Sequence, residues 1–252
     1  LLIERESIED DEALARSTSD IDLILGGHEH ENYYMRRGAQ LTPIAKADGN
    51  AKSAYIHYIT FNADKKATIR SKLKILDTTV DTDDLTSTFA DSLKRIAFEA
   101  FKKESIYPDS FIALPTETLI GKEYLIRSQS TNLATLVAQS FISAFEKERE
   151  VHGALLNGGA IRLDDNFLKD IELKRYDAMK ISPFANTKIY LVSMTGELLI
   201  RALNQGEKNV GMGSFLHFAN IQKEGDSWQI MVDSSMTDIS ASATYNIGVP
   251  TY

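Results

Sequence analysis

The chain has 252 residues, 43% of them hydrophobic, which suits one large domain or two modest ones with a real core. Zero cysteines exclude disulfides and thiolate metal sites without fixing the compartment. A formal charge of -8 argues against a nucleic-acid polymer as partner, for which a basic face is expected, and leaves room for a small anionic ligand held by a few local arginines. No stretch approaches the roughly 18 continuous apolar residues of a membrane span. No leader pattern is visible from Leu1, which carries little weight in a chain that starts without methionine.

In chain order, residues 9–16 read as a solvated helix with acidic residues in its first turn, where the helix dipole favours them. Ile21, Leu23, Ile24 and Leu25 form a short buried strand that ends in Gly26-Gly27 and then presents His28 and His30. Strands follow at Thr42–Ala45, Ala54–Phe61 and Thr68–Leu76, with a polar turn over Asn62–Lys66; His57 reads as a sheet residue rather than a ligand. An acidic connector, Asp77–Asp84, leads into a linker helix with Leu85, Phe89, Leu93, Ile96 and Ala100 at helical spacing and Asp81 or Thr82 as its cap. Beyond Pro108 a second unit begins with a strand near Phe111–Leu114. Asn132–Phe145 is its clearest helix, with a core stripe of Leu133, Leu136, Val137, Phe141, Ala144 and Phe145. Leu155 and Leu156 belong to a buried strand that breaks at Asn157-Gly158-Gly159-Ala160-Ile161-Arg162. Strands at Lys188–Met194, Phe215–Ile221, Trp228–Val232 and Tyr245–Val249 surround a helix from Gly196 to Asn204, capped by Thr195 and stopped by Gly206. Without strict βαβ alternation, the class is α+β.

Four places carry candidate chemistry. A His-x-His pair on a tight loop can point both rings at one divalent ion, since imidazole is the commonest zinc ligand; the alternative is a Gly-Gly hairpin with two solvated histidines. Asn157 to Arg162 is a strand followed by a Gly-Gly turn that exposes amides to a planar ligand. In it Asn157 can donate and accept and Arg162 can clamp a phosphate; the alternative is a plain turn with a surface arginine. Phe184, within Ser182-Pro183-Phe184-Ala185-Asn186, suits a base-stacking platform or is simply packed. Arg127 precedes the amphipathic helix, where it can meet an anion together with helix amides.

Taken in this order, the segments DIDLILGGHEHENY, LTPIAKADGNAKSAYIHYITF, IRSQSTNLATLVAQSF, ALLNGGAIR, ISPFANTKIYLVSMTGELLIRALNQG and TYNIGVPTY resemble the 5'-nucleotidase family. The resemblance implies part of a metallophosphoesterase α/β sandwich over residues 1–78, a linker helix over 79–104 and a C-terminal α+β nucleotide-binding domain over 105–252. It implies that His28 and His30 each serve one of two divalent ions such as Zn, Mn or Co. It also implies that Arg127, Asn157, Gly159 and Arg162 line the nucleotide cleft and that Phe184 is one of two aromatics sandwiching the base. Two such ions about 3.5–4 Å apart lower the pKa of a bridging water and neutralise phosphoryl oxygens during in-line attack. The implied activity is hydrolysis of nucleotide phosphate esters at the periplasm or cell surface.

The sequence departs from the pattern in three ways. The family's upstream ligand motifs, Asp-x-His, Gly-Asp and Gly-Asn-His, are absent. Arg5 stands in Ile3–Ser7, where a histidine is usual, and the second stacking aromatic would follow Tyr252. The 252-residue chain alone is therefore expected to lack phosphatase activity. A nucleotide-binding module with a degenerate metal centre is the other reading.

Overall fold

The computed structural model describes residues 8–184 and 187–251. The expectations placed on Arg5, Ala185, Asn186 and Tyr252 lie outside the described residues. The chain divides into two compact units, Leu1–Leu93 and Lys94–Tyr252.

The first unit runs α1 (Ile8–Ser17), β1 (Ile24–Gly26), β2 (Tyr33–Arg37), β3 (Thr42–Lys46), β4 (Ser53–Phe61) and β5 (Ala67–Ile75), followed by α2 (Asp84–Lys103), within which the unit boundary falls. β3 is the central strand of three, parallel to β1 and antiparallel to β2, and all five of its residues are buried. β1 is shorter than the apolar run Ile21–Leu25 predicts, because only Ile24, Leu25 and Gly26 find partners on β3. The sequence reading places no strand at β2. β4 and β5 form a hairpin in which His57 Nδ1 meets Ser71 Oγ at 2.9 Å across the ladder.

The start of α1 is not simply solvated. Asp11 is fully buried and pairs at 2.7 Å with Lys46 Nζ, itself 1% exposed, and Lys46 also reaches Glu29 at 2.5 Å. Burial works against the ammonium, but its hydrogen bonds to Asp11 and Glu29 hold the Lys46 pKa above its ordinary value. α2 is capped by Asp83, whose carboxylate accepts the Thr86 amide at 2.7 Å, in place of the expected Asp81 or Thr82. Its apolar stripe, Leu85, Phe89, Leu93 and Ile96, is between 50% and 82% exposed.

The second unit contains β6 (Phe111–Ala113), α3 (Glu123–Ile126), α4 (Asn132–Phe145), β7 (Gly153–Asn157), β8 (Leu173–Lys174), α5 (Arg175–Ile181), β9 (Ile189–Thr195), α6 (Gly196–Lys208), β10 (Leu216–Ala219), β11 (Ile221–Glu224), β12 (Ser227–Val232), β13 (Ser235–Asp238) and β14 (Thr244–Pro250). Its main sheet has the order β10-β7-β14-β9, with β7 and β14 parallel and the outer pairs antiparallel. Alternation along β7 sends Ala154 and Leu156 into a core with α4, and Leu155 into a second core with Leu199, Leu203, Trp228 and Ile230. Both faces of the sheet are thus covered, in a mixed α/β arrangement.

Three details depart from the sequence reading. Gly206 does not stop α6, which runs on to Lys208; a Cβ at Gly206 would lie 2.2 Å from Leu216 Cβ, so the glycine permits close approach to β10. The strand expected over Phe215–Ile221 breaks at Asn220, whose φ of 58 turns the chain from β10 into β11. Leu136, 53% exposed, and Ala144, also exposed, fall outside the core expected of the α4 stripe; Leu136 instead lines, with Leu133, Val137 and Phe141, an apolar cavity of about 640 Å³.

His217 on β10 is 1% exposed; its Nε2 donates to the Ile126 carbonyl at 2.7 Å, and burial pushes its pKa below the ordinary 6.5.

Two outcomes follow from these buried titratable groups. Lys46→Met leaves Asp11 buried and uncompensated, and is expected to lower stability by about 3–5 kcal/mol in urea unfolding. At His217, the unfolded chain takes up a proton below pH 6.5 that the folded chain resists, so stability falls as the pH drops. Between about pH 7.5 and 5.5 the His217→Gln variant should show a shallower fall in Tm than the wild type, by roughly 2–4 °C per kcal/mol removed.

Candidate functional site

His28 and His30 lie in the bend after β1 with φ of 82 and 62, the left-handed region that non-glycine residues seldom occupy. The bend is held by the residue between them. Glu29 turns inward to Lys46, at 2.6 and 2.5 Å through its two oxygens, while both imidazoles are exposed. The Gly49 amide donates to the His30 carbonyl at 2.9 Å, and a Cβ at Gly49 would lie 2.9 Å from His30 Cβ, so only glycine fits against the loop. Asn32 donates to Asp48 at 3.1 Å and fixes the far side. The bend therefore presents two imidazole donors on an anchored backbone. Among the described residues no three His, Asp or Glu side chains gather into a metal-binding group, and a catalytic zinc takes three protein ligands. The pair fits part of a donor set and does not complete one.

In the second unit the chain leaves β7 at Asn157 and makes one 3-10 turn over Gly158–Ala160, closed by the Ile161 amide on the Gly158 carbonyl at 3.1 Å. The turn is fastened to the segment Gly211–His217. Gly158 N donates to Phe215 O and Gly159 N to Gly213 O, each at 2.7 Å, and Asn157 Nδ2 reaches Gly213 O at 3.4 Å. The donating end of Asn157 is thus spent inside the protein, and its Oδ1 has no hydrogen-bond partner among the described residues.

Arg127 is the C-cap of α3 and pairs with Glu123 one turn earlier. Its own carbonyl accepts the Gly211 amide at 2.8 Å, and the preceding Ile126 carbonyl accepts from His217. The other end of α3 is held by the stretch after Arg162: Asp164 accepts the Glu123 amide at 3.0 Å, Asn166 accepts the Gly121 amide at 3.2 Å and Asp165 pairs with Lys122 at 2.6 Å. Arg162 donates its amide to the Ile181 carbonyl at 2.8 Å, at the end of α5, and its guanidinium carbon stands 5.5 Å from the centroid of the Phe184 ring. Phe184 is partly buried. Arg127 and Gly159 are therefore tied through one strap, and Arg162, at the end of the turn, forms a cation–π pair with Phe184 on the segment after α5. The strap Gly211–His217 and the Asp164–Asn166 cap escaped the sequence reading. Gly211-x-Gly213 and Asp164-Asp165-Asn166 were the turn signals that marked them.

Residues 116–252 match the family model described as 5'-nucleotidase, C-terminal domain. The chain is 26% identical over 220 residues to the trifunctional nucleotide phosphoesterase protein YfkN of Bacillus subtilis (strain 168), covering 83% of this chain and 14% of that protein. It is 23% identical over 276 residues to a 5'-nucleotidase of Vibrio cholerae serotype O1, covering 96% of this chain and 48% of that protein. The chain thus spans a seventh and about half of the length of these curated relatives. The crystal structure of a 5'-nucleotidase precursor from Thermus thermophilus superposes with a TM-score of 0.73 at 17% identity, over 96% of this chain and 52% of that one, which shows a shared fold. Matched over more than half of its length, the chain belongs to the 5'-nucleotidase family, with the family's C-terminal domain at residues 116–252.

Proposed function

We propose that the second unit binds a nucleotide at Arg127, Asn157, Gly159, Arg162 and Phe184, and that the chain serves the metal-dependent hydrolysis of nucleotide phosphate esters. The observation that carries the reading is the convergence on one turn of a two-glycine backbone, an arginine and an aromatic ring that the arginine already engages. Stacking of a base on a single aromatic ring is worth about 1–3 kcal/mol and tolerates every base. Guanidinium groups at positions 127 and 162 suit phosphate or a polar ring edge, with a planar fork that a lysine cannot supply. Remote binding of this kind fixes where the reacting phosphate lies.

In the first unit, His28 and His30 would each offer one imidazole to a divalent ion such as Zn, Mn or Co, in a site that other residues complete. Such ions supply Lewis-acid stabilisation of phosphoryl oxygens. Glu29, held by Lys46, acts here by orienting the loop that carries the two rings. On this reading residues 1–78 belong to a metallophosphoesterase domain, 79–104 to a linker helix and 105–252 to the nucleotide-binding domain. A periplasmic or cell-surface location is part of the same reading. It is supported by the precursor status of the Thermus thermophilus relative. Among the described residues no helix is long and apolar enough to cross a membrane.

Calorimetric titration of AMP into the chain tests the binding reading. Phe184→Ala and Arg162→Ala are each expected to weaken binding by about 1–3 kcal/mol, or roughly 5- to 150-fold in Kd. Equal affinity in wild type and both variants would assign these residues to packing alone.

A further inference from the structure

The strap Gly211–His217 holds Arg127 and the Asn157–Gly159 turn together although the two are distant in sequence. From the strap's side, the bonds come from backbone groups with one exception. The Gly211 amide bonds the Arg127 carbonyl, and the Gly213 and Phe215 carbonyls take the Gly159 and Gly158 amides. The exception is the His217 ring, whose Nε2 bonds the Ile126 carbonyl at 2.7 Å. Two consecutive carbonyls, of Ile126 and Arg127, are thus held from the same segment.

Packing alone does not explain a histidine here. Position 217 is 1% exposed, and Nδ1 is buried with no hydrogen-bond partner among the described residues. An apolar side chain would fill the space without a stranded acceptor. Because a carbonyl can only accept, Nε2 carries the proton, and the ring is present for that one donation. The Ile126 carbonyl also lies 3.0 Å from where a Cβ on Gly158 would stand, so the carbonyl that His217 holds is itself wedged against the turn.

We infer that His217 is the positioning residue of the nucleotide site, fixing through the Ile126 carbonyl the backbone from which the Arg127 side chain meets the ligand. The inference rests on the nucleotide-binding reading given above. His217 touches no ligand in this account; it acts through Arg127. Glutamine keeps an N–H long enough to reach the carbonyl, whereas leucine removes the donor and asparagine falls short of it.

The test is AMP titration of His217→Leu and His217→Gln in the wild-type, Arg127→Ala and Arg162→Ala backgrounds, with amide hydrogen exchange at Gly211. His217→Leu is expected to weaken AMP binding about tenfold and His217→Gln by no more than about threefold. The leucine effect should vanish in the Arg127→Ala background and persist in the Arg162→Ala background, and Gly211 should lose protection only in the leucine variant. If His217→Leu melts too low to titrate, His217→Asn takes its place with the same expectations. A leucine effect undiminished in Arg127→Ala, or unchanged Gly211 protection, overturns the inference and leaves the binding reading standing. Failure of the wild-type chain to bind AMP overturns the reading and the inference with it.

Discussion

Gly158 and Gly159 give their amides to the carbonyls of Phe215 and Gly213, and what the second unit presents at the end of β7 depends on those two bonds. A chain leaving a buried strand must satisfy its backbone groups, and here the partners are supplied by a segment more than fifty residues further on. Side chains at these two positions would crowd that approach: a Cβ would lie 3.0 Å from the Ile126 carbonyl at Gly158, and 3.2 Å from the Gly213 carbonyl at Gly159. The two glycines matter because they let three backbone segments lie together. Arg127, Arg162 and Phe184 are then carried on segments whose positions are already set. Main-chain bonds of this kind pre-organise the segments that carry these residues.

The first unit applies the same logic with charge. Lys46 sits on the central strand β3, where a cation is costly unless paired, and its two partners come from α1 and from the bend between the histidines. The desolvation cost of Lys46 and Asp11 is offset by their mutual contact, and Glu29 is the partly solvated third member. The consequence for function is geometric. With Glu29 drawn inward, His28 and His30 on either side face outward from a bend whose strained backbone the anchors maintain.

Much of the second unit was legible from sequence because strong periodicity and strong punctuation coincide there. α4 runs from Asn132 to Phe145, the bounds that its periodicity predicts, and Thr195 caps α6 as expected. The Gly-Gly break at the end of β7 likewise stands where composition put it. The features that escaped were those made by distant partners. Nothing local marks Asp11 as different from the other acids of α1; only its pairing with Lys46 does. His217 looks like any residue alternating along a strand, and what sets it apart is a hydrogen bond to a carbonyl 91 residues earlier in the chain. Gly206 reads as a helix stop until the close packing of β10 is seen, and Leu136 reads as core until the cavity beside α4 is seen.

The nucleotide-binding claim rests on a surface formed by Arg127, the Asn157–Arg162 turn and Phe184. The most direct measurement is the two-dimensional amide NMR spectrum of the chain recorded with increasing AMP. The account predicts that the largest shift changes fall on Arg127, Gly158, Gly159, Arg162 and Phe184 and on the strap from Gly211 to His217. Changes confined to other residues, or a spectrum that AMP leaves unaltered, would contradict it.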